Sequence, residues 1–255
     1  ALAMAPGFED ALKDAYLNSV SDSSQVDQGF LHQIQQPFAM KTAHALGGLL
    51  QAEVKVGEEA NESEFKQHAA QYEVIHLGTH TQINNVSPLY SKLILSKSSN
   101  EDGYLHAYEL YDMQLQAELA VLTACQTGVG QQESSEGVIS LAHSFAYAGC
   151  PSIIMSLWDV DEQSTAIITE AFYRQLADGR SKNRALRDAK LAWIKSHDNE
   201  QNAPYYWAGL VLMGDPDPIE MATGFPWGFV LIGLGLLLAV ILFTLMSRGN
   251  RTFTD

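Results

Sequence analysis

The chain has 255 residues, of which 46 % are hydrophobic and 9 % aromatic, which suits one α/β domain with an addition or two small domains. Its net charge is −15, from 15 lysines and arginines against 30 aspartates and glutamates. Such an acidic surface repels phosphate backbones, so the composition argues against nucleic-acid binding, while it tolerates a basic peptide.

Both cysteines are expected to be free thiols. Cys125 and Cys150 are too few and too far apart for the disulfide framework of a small secreted domain. The chain opens at 1–6 on an apolar run that predicts a core strand, without an initiator methionine or a signal peptide. We therefore expect the whole protein to have a region upstream of this one.

Apolar runs and stripes predict strands that alternate with helices in chain order. The segment 18–36, rich in Ser, Gln and Asp, is expected to be a surface loop. The alternation indicates an α/β fold with a mostly parallel sheet covered on both faces. The predicted strands are 1–6, 53–56, 74–79, 89–95, 119–124, 151–157 and 206–213. The predicted helices are 38–50, 61–71, 106–113 and 137–148, then one with the stripe Ile168 to Leu176 and one with Leu186 to Trp193.

A run without charge near the end of the chain predicts a transmembrane helix. Residues 225–246 number 22, which at ~1.5 Å per residue spans roughly the 30 Å of a bilayer core. A buried core helix is the alternative, but the length and the all-round apolarity favour a membrane span. We expect a domain at 1–217, a linker at 218–224, the transmembrane helix and a short tail at 247–255.

The flanks of this run resemble interfacial anchors, with Trp227 at one end and Arg248 and Arg251 at the other. The sequence predicts a single-pass membrane protein whose orientation stays open. The positive-inside rule would put the tail in the cytoplasm and the domain outside. A span ending nine residues before the last residue also suits a tail anchor with a cytosolic domain.

Two apolar strands each deliver a chemically active side chain. Strand 119–124 is followed directly by Cys125, and strand 74–79 by His80, 45 residues upstream of the cysteine. This is close to the caspase-type spacing. We predict that Cys125 is a nucleophile and that His80 takes its proton and later returns one to the leaving amine. The alternative for Cys125 is a small buried hydrophobic residue, as free cysteines often are.

Other candidates are weaker. His76 lies four residues before His80 in the same strand and is expected to be buried and structural, and His106 and His143 lie on predicted helices. No cysteine and histidine set has zinc spacing, and the chain contains no G-x-G-x-x-G and no P-loop. We therefore predict neither a metal nor a cofactor.

A peptide carbonyl under attack needs two hydrogen-bond donors for its oxyanion, and we expect them to be the backbone N–H groups of Cys125 and Thr81. Asp159 and Asp161 follow strand 151–157 at the same sheet edge. Either carboxylate could pair with an arginine or lysine of a substrate. Either could instead cap the following helix, and one aspartate could do each job.

In order, these motifs resemble the CHAT domain family, caspase- and separase-related cysteine peptidases that are often found behind tetratricopeptide repeats. The resemblance covers nearly all of 1–217 and implies a caspase-like three-layer α/β/α sandwich with a Cys–His dyad on Cys125 and His80. The stretch from Ala148 to Val160 is also similar to separase, which implies a basic residue before the scissile bond and Asp159 as its partner. The matching motifs are HLGTH at 76–80, PLYSKLIL at 88–95, DGYL at 102–105, LTACQTGVG at 122–130, SEGV at 135–138, SLWDV at 156–160 and PYYWA at 204–208.

One position departs from the family, which usually has glycine after the histidine where this chain has Thr81. Threonine keeps the N–H but restricts φ and crowds the cleft. Our first hypothesis is a membrane-anchored cysteine endopeptidase that cleaves proteins after a basic residue and is restrained by an upstream repeat or sensor region. The alternative is a catalytically weak or inactive CHAT module that acts as a membrane-bound signalling scaffold. The implied partners are a protein or peptide substrate, the lipid bilayer and the upstream region.

Overall fold

A computed structural model describes residues 1–84, 86–123, 125–126, 136–197 and 199–220, with the backbone alone at 125–126, 136–140 and 199. The chain divides into two compact units, Ala1–Ile219 and Glu220–Asp255, and the description that follows concerns the first. The predicted transmembrane helix at 225–246 and the tail at 247–255 lie outside the described residues. Within the described part of the chain, no helix combines the length and apolarity that a membrane span requires.

Strands and helices alternate along the first unit. The strands are β1 (Leu2–Ala5), β2 (Glu53–Val56), β3 (Val74–Leu77), β4 (His80–Gln82), β5 (Lys92–Ile94), β6 (Tyr104–His106), β7 (Leu119–Leu122), β8 (Cys125–Gln126), β9 (Ser152–Ser156) and β10 (Leu210–Gly214). The helices are α1 (Asp10–Ser19), α2 (Gln28–Leu31), α3 (Pro37–Leu50), α4 (Glu62–His68), α5 (Ala107–Leu110), α6 (Glu136–Tyr147), α7 (Glu162–Ala177), α8 (Lys182–Ser196) and α9 (Pro204–Trp207).

Among the described residues, six strands form the main sheet in the order β10-β9-β7-β3-β1-β2. Five of them run parallel, and β10 pairs with β9 in the antiparallel sense at one edge. The prediction of an α/β fold with a mostly parallel sheet is confirmed. Strands β3, β7 and β9 are buried at every position, as expected for strands covered on both faces.

Helices cover both faces of this sheet. On one face, Leu77 of β3 belongs to a fully buried cluster with Phe65 of α4 and Phe145 of α6. On the other face, the neighbouring His76 meets the ring of Tyr173 of α7 edge-on. Because successive residues of a strand point to opposite faces, these two contacts place α4 and α6 on one side and α7 on the other.

A second sheet begins where β3 and β7 end. In the described chain its order is β6-β5-β4-β8, with β4 and β8 parallel and the other pairs antiparallel. The predicted strands 74–79 and 119–124 were therefore too long, since the main sheet ends at Leu77 and Leu122. Between β3 and β4, the hydroxyl of Thr79 donates a hydrogen bond to the carbonyl of Ile94 in β5.

Three other predicted elements are shorter than expected. Predicted strand 89–95 is a 3-10 turn, Pro88–Tyr90, followed by β5. Predicted helix 106–113 is the four-residue α5 after β6, and predicted strand 206–213 is α9 followed by β10. A proline begins both the 3-10 turn at Pro88 and helix α9 at Pro204, since proline suits the first position of a helix.

The predicted surface loop 18–36 is partly ordered inside the fold. It contains a 3-10 turn, Ser23–Gln25, and helix α2, and the side chains of Asp22 and Asp27 cap them. Phe30 of α2 is fully buried. The Ser- and Gln-rich composition hid this anchor, because one buried aromatic residue leaves no periodic pattern.

Candidate active site

The two residues of the predicted dyad are register partners. His80 of β4 pairs with Cys125 of β8, and the two strands run parallel. Leu77 and Leu122, which end β3 and β7, are also partners, and His80 and Cys125 each follow three residues later. Because the two offsets are equal, the pairing of the main sheet continues into the second sheet. Neighbouring strands lie about 4.8 Å apart, so the backbone brings the two positions side by side.

The imidazole of His80 is held by one backbone contact. Its Nε2 lies 2.7 Å from the carbonyl oxygen of Ile34, and the side chain is 3 % exposed. A carbonyl can only accept a hydrogen bond, so Nε2 carries the proton and Nδ1 keeps its lone pair. Nδ1 has no hydrogen-bond partner among the described residues. Nδ1 is therefore a buried basic nitrogen without a partner among the described residues.

Phe8 supports the same ring from another side. The centroids of the Phe8 and His80 rings are 5.1 Å apart. Phe8 has a φ of +51° directly after Gly7 at +73°, so two left-handed residues turn the chain at the end of β1. A left-handed conformation is rare for a bulky residue, and the burial of the phenyl ring compensates for it.

Burial lowers the pKa of His80, which the hydrogen bond to Ile34 opposes and the charge of Lys13 reinforces. The ring is therefore neutral near pH 7, the form that accepts a proton.

His76 differs from His80 in its surroundings. It is fully buried, and burial lowers its pKa to about 4. Its Nδ1 lies 3.3 Å from the hydroxyl of Tyr173, within the packing between β3 and α7. The expectation that His76 is a buried structural residue agrees with this environment. His106 ends β6 beside the ring of Tyr108, and His143 is exposed on α6.

Thr81 occupies an interior position of the second sheet. It pairs with Leu93 of β5 on one side and with Gln126 of β8 on the other, and its side chain is buried. The backbone of Thr81 therefore lies directly beside the strand that carries Cys125. The roles of the Thr81 and Cys125 N–H groups as oxyanion donors stay predictions.

The two aspartates after β9 have different surroundings. Asp161 is the N-cap of α7, and its Oδ1 accepts a 2.8 Å hydrogen bond from the N–H of Ser164. The Asp159 residue is exposed at the surface, but surrounding protein removes part of the water around its carboxylate and raises its pKa. No described residue gives it a hydrogen bond or an ion pair. Asp161 thus does the capping, and the role of Asp159 as a substrate partner stays a prediction.

Glu162 is a residue near the site that the sequence did not reveal. Its Oε1 accepts hydrogen bonds from the N–H groups of Phe38 at 2.8 Å and Ala39 at 3.0 Å, so it caps the first turn of α3. It also lines a small cavity of about 10 Å³, room for one water molecule, together with Thr123, two residues before Cys125. Burial raises the pKa of Glu162, against the two hydrogen bonds.

The contacts of Ile34 and Glu162 had no local signal in the sequence. Ile34 is 46 positions from His80. Glu162 is 124 and 123 positions from Phe38 and Ala39, whose N–H groups it accepts. Within the described residues, no group of three or more His, Cys, Asp or Glu side chains could hold a metal ion.

A family model, the CHAT domain, matches residues 13–215 and so includes both strands of the proposed dyad. This chain belongs to the CHAT domain family. Tetratricopeptide repeat protein 28 of Homo sapiens is 24 % identical over 216 residues, covering 70 % of this chain and 8 % of its own length. Its Mus musculus counterpart is 28 % identical over 110 residues, covering 43 % of this chain and 4 % of its own length. The CHAT chain thus spans under a tenth of these relatives.

Two solved structures have a similar arrangement of elements. The separase–securin complex of Saccharomyces cerevisiae has a TM-score of 0.46 and 14 % identity, covering 70 % of this chain and 11 % of that one. The Arg-specific cysteine proteinase gingipain R has a TM-score of 0.47 and 10 % identity, covering 73 % and 43 %. Neither likeness is strong enough to bear on the activity of this chain.

Proposed function

We propose that this CHAT domain is a cysteine endopeptidase in which His80 and Cys125 form the catalytic dyad. The observation that carries the proposal is the parallel register between His80 and Cys125, combined with the Nε2 contact to Ile34. The register supports closeness of the two side chains, and the contact leaves Nδ1 as the base. Membership of the CHAT family supports the same chemistry.

In the proposed reaction, the Cys125 thiol gives its proton to Nδ1 of His80 while the sulfur attacks the carbonyl carbon of the substrate. The carbonyl oxygen becomes an oxyanion, for which we propose the N–H groups of Thr81 and Cys125 as donors. When this intermediate collapses, the C–N bond breaks and His80 returns the proton to the leaving amine. Water then attacks the thioester, loses a proton to His80, and releases the acid as the thiol forms again.

For the substrate, we propose a protein or peptide with arginine or lysine before the scissile bond. Asp159 follows β9, which neighbours the β7 strand leading to Cys125. Partial burial raises the pKa of this carboxylate, and a cation would offset the cost of burying it. Arginine can bind a carboxylate through two parallel hydrogen bonds, which favours it over lysine.

Labelling with a peptide electrophile tests the dyad, using arginine, leucine or aspartate as the residue next to the reactive group. We expect the arginine probe to label the wild type and neither Cys125→Ala nor His80→Ala. Cys150→Ala and His143→Ala are the matched controls, because Cys150 is a buried thiol and His143 an exposed histidine. Labelling that persists in Cys125→Ala would refute the nucleophile.

Asp159→Asn tests the proposed specificity. It should lower labelling by the arginine probe at least tenfold and leave labelling by the leucine probe unchanged, because only the cationic side chain needs the carboxylate. Asp217→Asn is the control, as an exposed aspartate on the same unit. Equal loss with both probes would show that Asp159 supports the fold rather than selects the substrate.

The second candidate function is a signalling scaffold with little activity, and Thr81 favours it. Its buried side chain lies beside β8, where the family usually has glycine. If Thr81→Gly raises turnover strongly, the wild type is a restrained peptidase. If folded wild type and Thr81→Gly are both unlabelled, the scaffold proposal gains and the peptidase proposal falls.

We further propose that 225–246 anchors the domain in a lipid bilayer and that an upstream repeat region restrains it. The uncharged length of 22 residues supports the anchor. The full chain should remain in the pellet after alkaline carbonate extraction, whereas a chain ending at residue 220 should be released. Protease protection of the tail in sealed vesicles would assign the orientation.

A further inference from the structure

We propose that Asp27 is a positioning residue for His80, because the cluster that it forms with Lys97 and Tyr104 fixes the segment that carries Ile34. We call residues 27–36 the α2 segment. The inference rests on the proposed function, since only there is His80 catalytic.

Asp27 joins the α2 segment to two other parts of the fold. Its Oδ1 accepts the N–H of Phe30 at 3.1 Å, and its Oδ2 accepts the hydroxyl of Tyr104 at 2.5 Å and the ammonium of Lys97 at 2.8 Å. Its own N–H donates to the hydroxyl of Tyr16 on α1 at 2.7 Å. One side chain and its amide therefore connect α1, α2 and the β5–β6 hairpin.

Aromatic rings surround the partner of Asp27. The Nζ of Lys97 lies 4.6 Å from the ring centroid of Tyr104 and 5.4 Å from those of Tyr16 and Phe30. The side chain of Lys97 is only 12 % exposed. An ion pair whose partly buried ammonium also makes cation–π contacts is worth more than an exposed surface ion pair. Burial alone would raise the pKa of Asp27, but hydrogen bonds from Lys97 and Tyr104 outweigh burial and lower this pKa to about 2.

Two routes lead from this cluster to the imidazole. Phe30, which follows Asp27 in α2, has its ring centroid 5.8 Å from that of Phe8, and the Phe8 ring lies 5.1 Å from that of His80. Four residues after Phe30, the carbonyl of Ile34 accepts the Nε2 hydrogen of His80. The same segment thus supports Phe8, which packs against the ring, and accepts the hydrogen bond that orients the ring.

The carbonyl of Ile34 lies in an exposed part of the α2 segment. The side chain of Ile34 is 68 % exposed, so little apolar burial holds its carbonyl in place. Beyond the cluster, Lys13 donates to the carbonyl of Gln33 at 2.7 Å, and the N–H of Gln36 donates to the carbonyl of Gly7 at 2.8 Å. These bonds align the segment, and Asp27 anchors its first turn.

Asp22 provides a matched control in the same stretch of chain. Like Asp27 it caps a one-turn helix, accepting the N–H of Ser24 at 2.9 Å, but it is exposed and no described residue outside its own turn pairs with it. Asparagine is a good N-cap, so an Asp→Asn change preserves capping at both positions. Only at Asp27 does this change weaken a pair with lysine.

The experiment measures the ring proton of His80 and the kinetics on the same variants. In protein labelled with ¹⁵N-histidine, we expect the Nε2–H of wild-type His80 to exchange slowly with water. Asp27→Asn and Lys97→Met should accelerate this exchange about tenfold, since an ion pair in an aromatic setting is lost. Turnover should fall by about 10- to 100-fold with KM changed less than twofold, because the base is misplaced while the substrate site is intact. Asp22→Asn should leave both readouts unchanged.

The exchange rate of the His80 ring proton and the turnover together decide whether Asp27 positions His80. Unchanged exchange and turnover in folded Asp27→Asn overturn the proposal, as does a turnover loss without faster exchange. Lys97→Arg keeps the charge and should restore at least half of the wild-type turnover that Lys97→Met loses. If Asp27→Asn does not fold, Tyr104→Phe removes one hydroxyl and should give a smaller change in the same direction. Accelerated exchange in a protein without peptidase activity would uphold the positioning role and refute the proposed function.

Discussion

The Nε2 atom of His80 and the carbonyl oxygen of Ile34 lie 2.7 Å apart, although 46 positions separate them in the chain. This contact assigns the ring hydrogen to Nε2 and the lone pair to Nδ1. Burial lowers the pKa of the same ring, and Lys13 lowers it further. The histidine of the proposed dyad is therefore neutral at rest rather than an imidazolium.

The pH dependence of Cys125 alkylation tests this resting state. We expect the rate with iodoacetamide to rise with pH without a plateau below pH 7, because a neutral His80 offers the sulfur no positively charged partner. His80→Ala should change the rate at pH 6 less than twofold, and Cys150→Ala serves as the background for the second thiol. A plateau at low pH that His80→Ala abolishes would instead indicate an ion pair.

The sequence was informative about the main sheet and about the two residues of the proposed dyad. Strands β3 and β7 are continuous apolar runs, which is the signal of a strand buried on both faces. Because parallel strands end at one edge, His80 and Cys125 were expected to approach each other, and their register agrees. Family membership was likewise predicted from the motifs and is confirmed.

Strand β5 of the second sheet lies within predicted strand 89–95, but strands β4 and β8 and the contacts of Ile34 and Glu162 could not be predicted. Strands β4 and β8 have three and two residues, too few for any periodicity, and tertiary pairing alone makes them strands. The carbonyl of Ile34 acts through its backbone, so its side chain gives no hint. At the start of α3, neither Gln36 nor Pro37 supplies a capping side chain. The cap comes instead from Glu162 of α7, which local sequence cannot reveal.

Removing the Glu162 carboxylate should loosen the first turn of α3. Glu162→Ala leaves the N–H groups of Phe38 and Ala39 without their acceptor and is expected to cost about 1–2 kcal/mol of unfolding free energy. Glu162→Gln should cost less, because an amide oxygen still accepts and only the charge at the helix end is lost. Urea unfolding measures the free energies, and hydrogen exchange at Phe38 and Ala39 locates the effect.

The control for this change is Glu170→Ala, on the same helix, where the side chain pairs only with Arg174 at 3.3 Å among the described residues. An i,i+4 pair of this kind is worth about 0.5 kcal/mol or less. Equal losses in Glu162→Ala and Glu170→Ala, or unchanged exchange at Phe38, would contradict the capping role.

His76 should make the fold sensitive to acid. Its folded pKa is about 4, below the value of about 6.5 in an unfolded chain. Between these values the unfolded chain binds a proton that the folded chain does not, so the stabilisation is complete above pH 6.5 and is lost as pH falls towards 4. We expect a loss of roughly 2–3 kcal/mol between pH 7 and pH 4.5 from this residue.

The variant His76→Phe/Tyr173→Phe removes both polar atoms of the buried contact and keeps two aromatic rings. Urea unfolding at pH 7 and pH 4.5 should show a pH dependence reduced by roughly 2–3 kcal/mol. His143→Phe, at an exposed position, should keep the wild-type dependence. If the unfolding free energy of the double variant falls between pH 7 and pH 4.5 as much as that of the wild type, the acid sensitivity belongs to other groups.

Lys182 and Asp215 form an asymmetric ion pair where β9 meets the end of the domain. The Lys182 side chain is fully buried and its Nζ lies 3.2 Å from the carboxylate of Asp215, which is 42 % exposed, and 2.8 Å from the hydroxyl of Ser152. Removing the aspartate leaves a buried ammonium short of its counter-charge, whereas removing the lysine leaves a carboxylate that water can reach. Asp215→Ala should therefore lower the urea midpoint more than Lys182→Met.

The combination Asp215→Ala/Lys182→Met should recover stability relative to Asp215→Ala alone, because the methionine removes the stranded charge while filling similar volume. Asp217→Ala, at an exposed neighbouring position, is the control and should leave the midpoint near that of the wild type. If Lys182→Met proves the more damaging single change, the ammonium contributes chiefly through Ser152. In that case Ser152→Ala should lower the midpoint as much as Lys182→Met does.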